Sequence, residues 1–386
     1  MNSIVLIYMM LFSFIIIIIT SLLYLMYVDA VNRRFLRRVG VVSKGYENII
    51  MEGLSAVESG GTVSLEHINL INKRNKSQSY ERVFQNVMID YATNKENRGN
   101  VIAYMSCFES YVNHKIQTVR RNRSVKHVQN VFLVGEYRLR TEQVVEYLIE
   151  GVHSKSIALK FNSLSALSKI GDADFLVRAL VITAKEKGYL NQKVLTDVLD
   201  SFEGDREDLI EKLVENIREL TGLFRRLVIN YFLNQNEKSP AKMISQLLKE
   251  VTDKEEHIMI LKYFGNIHYN EAIEDVLKAT QHEIWEIRAI SSKTLRIYVQ
   301  ELELQQLLPV LSDDNWYVRI NMATTVLDYI DHHQKTLKHD FELIKQSLDD
   351  PYAIDALEYA RHLQEEPSHL KESIGEILRK GVEYAH

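Results

Sequence analysis

The sequence predicts an all-α protein in which one N-terminal transmembrane helix precedes a long array of repeated helical hairpins. Three observations predict it. The first 28 residues carry no Asp, Glu, Lys or Arg. Beyond residue 40, apolar residues recur at three- and four-residue intervals in blocks of about 10–18, and no segment alternates as a strand does. Only 4 Pro and 15 Gly punctuate 386 residues, too few for a turn-rich β fold. The single Cys excludes a disulfide framework, a Cys-based zinc cluster and an iron–sulfur site.

From Ile4 to Val28 the chain is uncharged. A helix of that length rises about 37 Å, enough to cross a hydrocarbon core of about 30 Å with some tilt. Tyr24 and Tyr27 near its end suit the membrane interface. A cleaved signal peptide is the main rival. It needs a basic leader, a shorter apolar stretch and a small-residue cleavage site, and Val28-Asp29-Ala30 is a poor one. Basic residues follow the span and none precedes it: Arg33, Arg34, Arg37, Arg38 and Lys44. Such flanks stay cytoplasmic, so the expectation is a single-pass protein of the cell's inner (plasma) membrane, N-terminus outside and body inside. Cys107, a lone thiol, agrees with a reducing compartment.

Charge marks the next boundaries. Residues 29–128 hold 16 Lys and Arg against 9 Asp and Glu, whereas residues 129–386 hold 31 against 43. The expected organisation is an anchor over 1–30, a basic juxtamembrane neck with an irregular helical cap over 31–110, and a repeat array over 111–386. The neck would rest against anionic lipid.

The repeat is clearest in Leu307-Leu308-Pro309-Val310-Leu311-Ser312-Asp313-Asp314-Asn315-Trp316-Tyr317-Val318-Arg319, a helix end, an Asp-rich turn and a second amphipathic helix. The same phase recurs at Ile287-Arg288, Phe224-Arg225, Leu159-Lys160 (closed by Ile170-Gly171-Asp172) and Val125-Lys126, and less clearly at Leu190-Asn191, Glu256-His257 and Ala353-Ile354. Successive second positions stand 31 to 35 residues apart, giving eight units near a 33-residue period. The pattern resembles the HEAT-repeat family, most specifically over Leu307–Arg319 and next over Lys160–Asp172. The resemblance implies a right-handed α-solenoid of about eight HEAT-like helical hairpins after the transmembrane helix. It also implies that cations at the second position form an internal structural ladder: Lys126, Lys160, Arg225, Arg288 and Arg319. A basic ladder for an acidic partner is the rival reading. A tetratricopeptide array of similar period would need a Gly/Ala pattern inside each first helix, which is missing.

Local signals fit helical hairpins. Ser239-Pro240 and Asp350-Pro351 are helix starts, Gly171, Gly188, Gly204 and Gly265 fall at helix ends, and Pro309 kinks its helix. Trp285 and Trp316 stand 31 residues apart at equivalent places, so they either form a partner hot spot or pack into the turn beneath them. The basic run Arg120–His127 is a solvated loop or an anion contact. His332-His333 lacks the i, i+4 spacing of a metal site, and Cys107 reads as core.

No Walker-type loop, Gly-x-Gly-x-x-Gly, His-Glu-x-x-His or nucleophile elbow occurs. The expectation is therefore a non-catalytic membrane-tethered scaffold or adaptor with no cofactor, metal, nucleic acid or small-molecule substrate. Its partner would be a membrane-associated protein with a basic cytoplasmic segment. Resemblance to single-span bacterial proteins with HEAT-like bodies suggests an accessory factor of a membrane glycosyltransferase or polysaccharide export machine. A HEAT-like lyase or DNA glycosylase, or an exported solenoid with a cleaved leader, are the alternatives. A glycosylase would need a basic groove, which the acidic body opposes.

Overall fold

The computed structural model describes residues 3–121, 126–186, 191–333 and 337–365. Among them every regular element is helical. Two compact units divide the chain: residues up to Ala179 with Asp200–Asp205, and Leu180 onwards with that loop excluded. The first contains α1 (Ser3–Glu58), α2 (Leu65–Arg74), α3 (Gln78–Thr93), α4 (Arg98–Ser106), α5 (Glu109–Arg121), α6 (Lys126–Tyr137), α7 (Glu142–Val152) and α8 (Ile157–Ile170); α9 (Ala173–Lys185) passes from the first into the second. The second continues with α10 (Gln192–Asp200), α11 (Arg206–Asn216), α12 (Leu223–Asn234), α13 (Ala241–Glu250), α14 (Lys254–Phe264) and α15 (Ile273–Ala279). It ends with α16 (Trp285–Thr294), α17 (Leu304–Leu307), α18 (Trp316–His333), α19 (Leu337–Gln346) and α20 (Pro351–Glu365).

Helix α1 is long and apolar enough to cross a membrane. Its 56 residues rise about 84 Å, and no break occurs at residue 30, where the sequence suggests a separate neck. No proline interrupts it, and the first glycines, Gly40 and Gly45, face open space. Its far end enters the core. Tyr46, Ile50 and Leu54, spaced to share one face, are fully buried as α1 packs on α3 and α4. Tyr46 donates to Asn75 Oδ1 at 2.8 Å, and the Arg74 guanidinium lies 5.6 Å from its ring. A Cβ at Gly53 would come within 2.7 Å of the His67 and Tyr104 rings, so α1 approaches as closely as glycine allows. Residues 41–110, outside the repeat phase, are thus the core into which α1 is built.

Alternate helices pack on one another in both units. In the first, α1 meets α3, α3 meets α6, and α6 meets α8. In the second, α12 meets α14, α14 meets α16, α16 meets α18, and α18 meets α20. Hydrogen bonds between these layers join residues about one sequence period apart. Thr294 Oγ1 donates to the Leu261 carbonyl at 2.9 Å, Thr325 Oγ1 to Ser292 at 2.7 Å, and Asn321 Nδ2 to Ala289 at 2.8 Å. Each pair is 32 or 33 residues apart. At Pro309 the short α17 gives way to a 3-10 turn over Leu308–Ser312, because proline supplies no N–H for an α-helical bond. Pro351 opens α20, and Pro240 immediately precedes α13.

The tightest contact between repeated turns lies in the first unit. Gly171 closes α8 in the left-handed conformation at φ 75°, and the Glu203 N–H donates to the Ser168 carbonyl at 3.1 Å. A Cβ on Gly204 would lie 2.0 Å from the Gly171 carbonyl oxygen, a backbone atom that cannot swing away. Gly204→Ala is expected to lower stability by about 1–3 kcal/mol through forced displacement of the two turns. Chemical denaturation of the purified protein measures it; Gly99→Ala, where a Cβ meets open space, is the matched control.

Candidate partner-binding surface

The starts of α16, α18 and α20 form one edge of the second unit, and the ladder arginines hold it together. Arg288, three residues into α16, grips Asp313 with both arms of its fork, Nε to Oδ2 at 2.6 Å and Nη2 to Oδ1 at 2.9 Å. Its Nη1 donates to the carbonyls of His282 and Glu283 at 2.9 and 3.0 Å. Hydrogen bonding to Asp313 raises the guanidinium pKa further. Arg319 repeats the arrangement one unit on, donating to the Asp313 carbonyl and standing 3.7 Å from the Asp350 carboxylate. Arg225 donates to the carbonyls of Ile217, Leu220 and Arg218 and pairs with Glu256 at 2.8 Å. Each arginine thus ties the turn before its own helix to a carboxylate 25 to 31 residues further along the chain.

The other two ladder positions differ. Lys160 is buried within α8. Lys126 is exposed at the start of α6, where it lines a surface groove of the first unit. Val125, Leu190, Gly188 and residues 122–125 of the basic run lie outside the described residues. Arg120, at the start of that run, pairs with Glu150 at 2.8 Å. Arg33, Arg34, Arg37, Arg38 and Lys44, which the sequence places after the apolar segment, are all exposed on α1, and Arg33 pairs with Asp29 one turn earlier at 2.6 Å. Cys107 is half-buried at the end of α4, its thiol 3.6 Å from the Ala103 carbonyl.

Aromatic rings cover the arginine edge. Trp285, half-buried, stacks on Tyr317 with centroids 5.6 Å apart and planes at 24°. Trp316 is 45% exposed and leans on Tyr359 at 5.8 Å. The Arg319 guanidinium lies 5.2 Å from the ring of Tyr352, which is itself 65% exposed. Both tryptophans open their helices and touch a tyrosine ring, but Trp285 is half-buried and Trp316 largely exposed. Tyr317, Tyr352 and Tyr359 are additions that the tryptophan spacing does not identify. Exposed carboxylates Glu283, Asp314 and Asp349 occupy the same turns. Aromatic faces ringed by carboxylates favour cationic side chains.

A second feature of this unit is a cavity of about 450 Å³ lined by Lys249, His257, Glu271, Glu274, Asp275, Lys278 and His282. His257 is buried on α14, its Nε2 has no hydrogen-bond partner, and the His282 ring stands 5.3 Å away. His282 Nδ1 accepts from the Ile284 N–H at 3.0 Å. Burial, then the neighbouring His282, lowers the His257 pKa to about 4. The unfolded chain therefore binds the proton more readily, and stability falls as pH drops below the unfolded value of about 6.5, levelling off below about 4. Denaturation at pH 7 and pH 4.5 should differ by about 2 kcal/mol more in the wild type than in His257→Leu.

A scan against protein-family models finds no match to this chain, and a search of curated proteins finds no similar sequence.

Proposed function

We propose that the chain is a membrane-tethered scaffold, a non-catalytic adaptor of the HEAT-repeat type that holds a partner protein beside the bilayer. The observation that carries this reading is the continuity of α1, which runs from an uncharged 25-residue segment directly into the buried contacts of Tyr46, Ile50 and Leu54. An anchor built into a core fixes that core at a set distance from the bilayer, whereas a flexible tether would leave it free. The alternate packing of helices at intervals of about one repeat supports a solenoid. The aromatic and acidic edge of α16, α18 and α20 suits a basic segment of a partner in the same membrane. An accessory subunit of a membrane glycosyltransferase or polysaccharide exporter fits that description.

The body lies in the cytoplasm on this reading, since the basic flank follows the span. A phosphatase active only outside the cytoplasm, fused after His386, is expected to show no activity, and strong activity would reverse the orientation. N-terminal sequencing of the membrane-extracted protein separates an anchored chain, beginning at its own first residues, from an exported one cleaved near Ala30. Affinity capture from detergent-solubilised membranes, with the edge intact and altered, tests the partner.

A further inference from the structure

The first unit carries a groove of about 590 Å³ between α1 and the helices α3, α5 and α6. Four cations line it, Lys76, Arg82, Lys115 and Lys126, against one carboxylate, Glu81. That carboxylate is already occupied: Lys115 lies 2.7 Å from it, and Tyr111 donates to it at 3.1 Å. Lys76, Arg82 and Lys126 are exposed. Polar Asn32, Gln78, Gln85 and Gln129 and apolar Phe35, Leu36, Val119 and Leu133 complete the walls. The lining therefore offers cationic and amide donors interleaved with hydrocarbon.

Position along α1 identifies what this combination fits. Asn32 and Leu36 lie four and eight residues beyond Val28, the last residue of the uncharged segment. At 1.5 Å per residue they stand about 6 and 12 Å past its end. The headgroup layer on each face of a bilayer is about 5–8 Å thick, so Asn32 stands within it and Phe35 and Leu36 just outside it, which puts the α1 wall of the groove at the outer limit of that layer. Cations set beside the end of the span meet the anionic surface of a bilayer first, which favours a lipid phosphate over a soluble anion.

We propose that this groove binds the phosphate group of an anionic phospholipid, with Lys76, Arg82 and Lys126 reaching the phosphate. The inference rests on the membrane-tethered reading and gives that tether a lipid preference. It differs from a diffuse attraction of the whole basic neck, because three particular cations carry it.

The experiment uses the full chain in nanodiscs of phosphatidylcholine alone or with phosphatidylglycerol, and reads the phosphatidylglycerol enriched around the protein by mass spectrometry. The triple variant Lys76→Glu, Arg82→Glu, Lys126→Glu should lose the enrichment by about a hundredfold, given the usual contribution of each basic residue at a membrane surface. The control triple Lys44→Glu, Lys73→Glu, Lys95→Glu changes the same charge on exposed positions of the same unit outside the groove and should keep most of it. Equal losses in both variants overturn the groove in favour of a diffuse surface, as does unchanged enrichment in the first. Circular dichroism and thermal melting of both variants check that the fold survives. Stabilisation of the detergent-solubilised wild type by glycerol phosphate, equal to that by phosphatidylglycerol, would overturn the lipid as the source. A chain that fails to insert into phosphatidylcholine nanodiscs fails the membrane reading itself, a result distinct from insertion without lipid preference.

Discussion

Arg288→Ala is expected to cost the second unit about 3 kcal/mol, the usual order for removing one member of a buried ion pair. Both partners are shielded, with side-chain exposures of 18% for Arg288 and 10% for Asp313. The alanine leaves the Asp313 carboxylate with its remaining Asn315 N–H bond at 2.8 Å and strips the His282 and Glu283 carbonyls of a donor. A loss of that size should lower Tm by about 6–12 °C in a unit of this length. Arg288→Lys keeps the charge but cannot reproduce the fork or reach both carbonyls at once, so it should recover only part of the loss. The double variant Arg288→Ala, Asp313→Ala should be less destabilised than the sum of the singles, because neither leaves the other's charge stranded. Additive singles would place Arg288 among surface contacts with no structural role. Calorimetry of the four proteins measures the cycle.

The register of that ladder is legible in the sequence, and its partners are not. Arg225, Arg288 and Arg319 each lie in the first turn of a helix, and spacings of 63 and 31 residues expose them to inspection. Glu256, Asp313 and Asp350 are met only after the next hairpin folds back, so no local pattern marks them as partners. Lys126 shows the converse: it shares the register but lines an open groove, since register alone does not supply a facing carboxylate. The apolar start of α1 is legible from 25 uncharged residues, yet its continuation to Glu58 is not. Residues 29–45 are mostly exposed, and the narrow stripe of Phe35, Val39 and Val42 that leads to Tyr46 is hidden among four arginines and two glycines. The exposed rings divide similarly. Trp285 and Trp316 are rare residues at equal phase, whereas Tyr317 and Tyr352, which share the next position of the register, and Tyr359 are lost among 20 tyrosines.

Trp316→Ala with Tyr352→Ala should leave the second unit folded and remove partner capture, the opposite signature to Arg288→Ala. Both rings are largely in water, at 45% and 65% exposure, so their truncation opens no cavity and strands no polar group. Stability should change by less than about 1 kcal/mol, mostly from the lost Arg319–Tyr352 contact at 5.2 Å. Binding is another matter. Exposed aromatics at the centre of an interface contribute about 2 kcal/mol or more each, so the pair should weaken capture by about a thousandfold or more. Charge reversal of the surrounding Glu283, Asp314 and Asp349 should also weaken it, chiefly by slowing association and in a salt-dependent way, since rim charges steer encounter more than they hold the complex. Asp313 is left untouched in that variant because it belongs to the arginine pair. Capture that survives both sets of changes, but fails when residues 4–28 are replaced by an unrelated transmembrane helix, would move the contact from the body into the bilayer and end the reading of this edge as the binding surface.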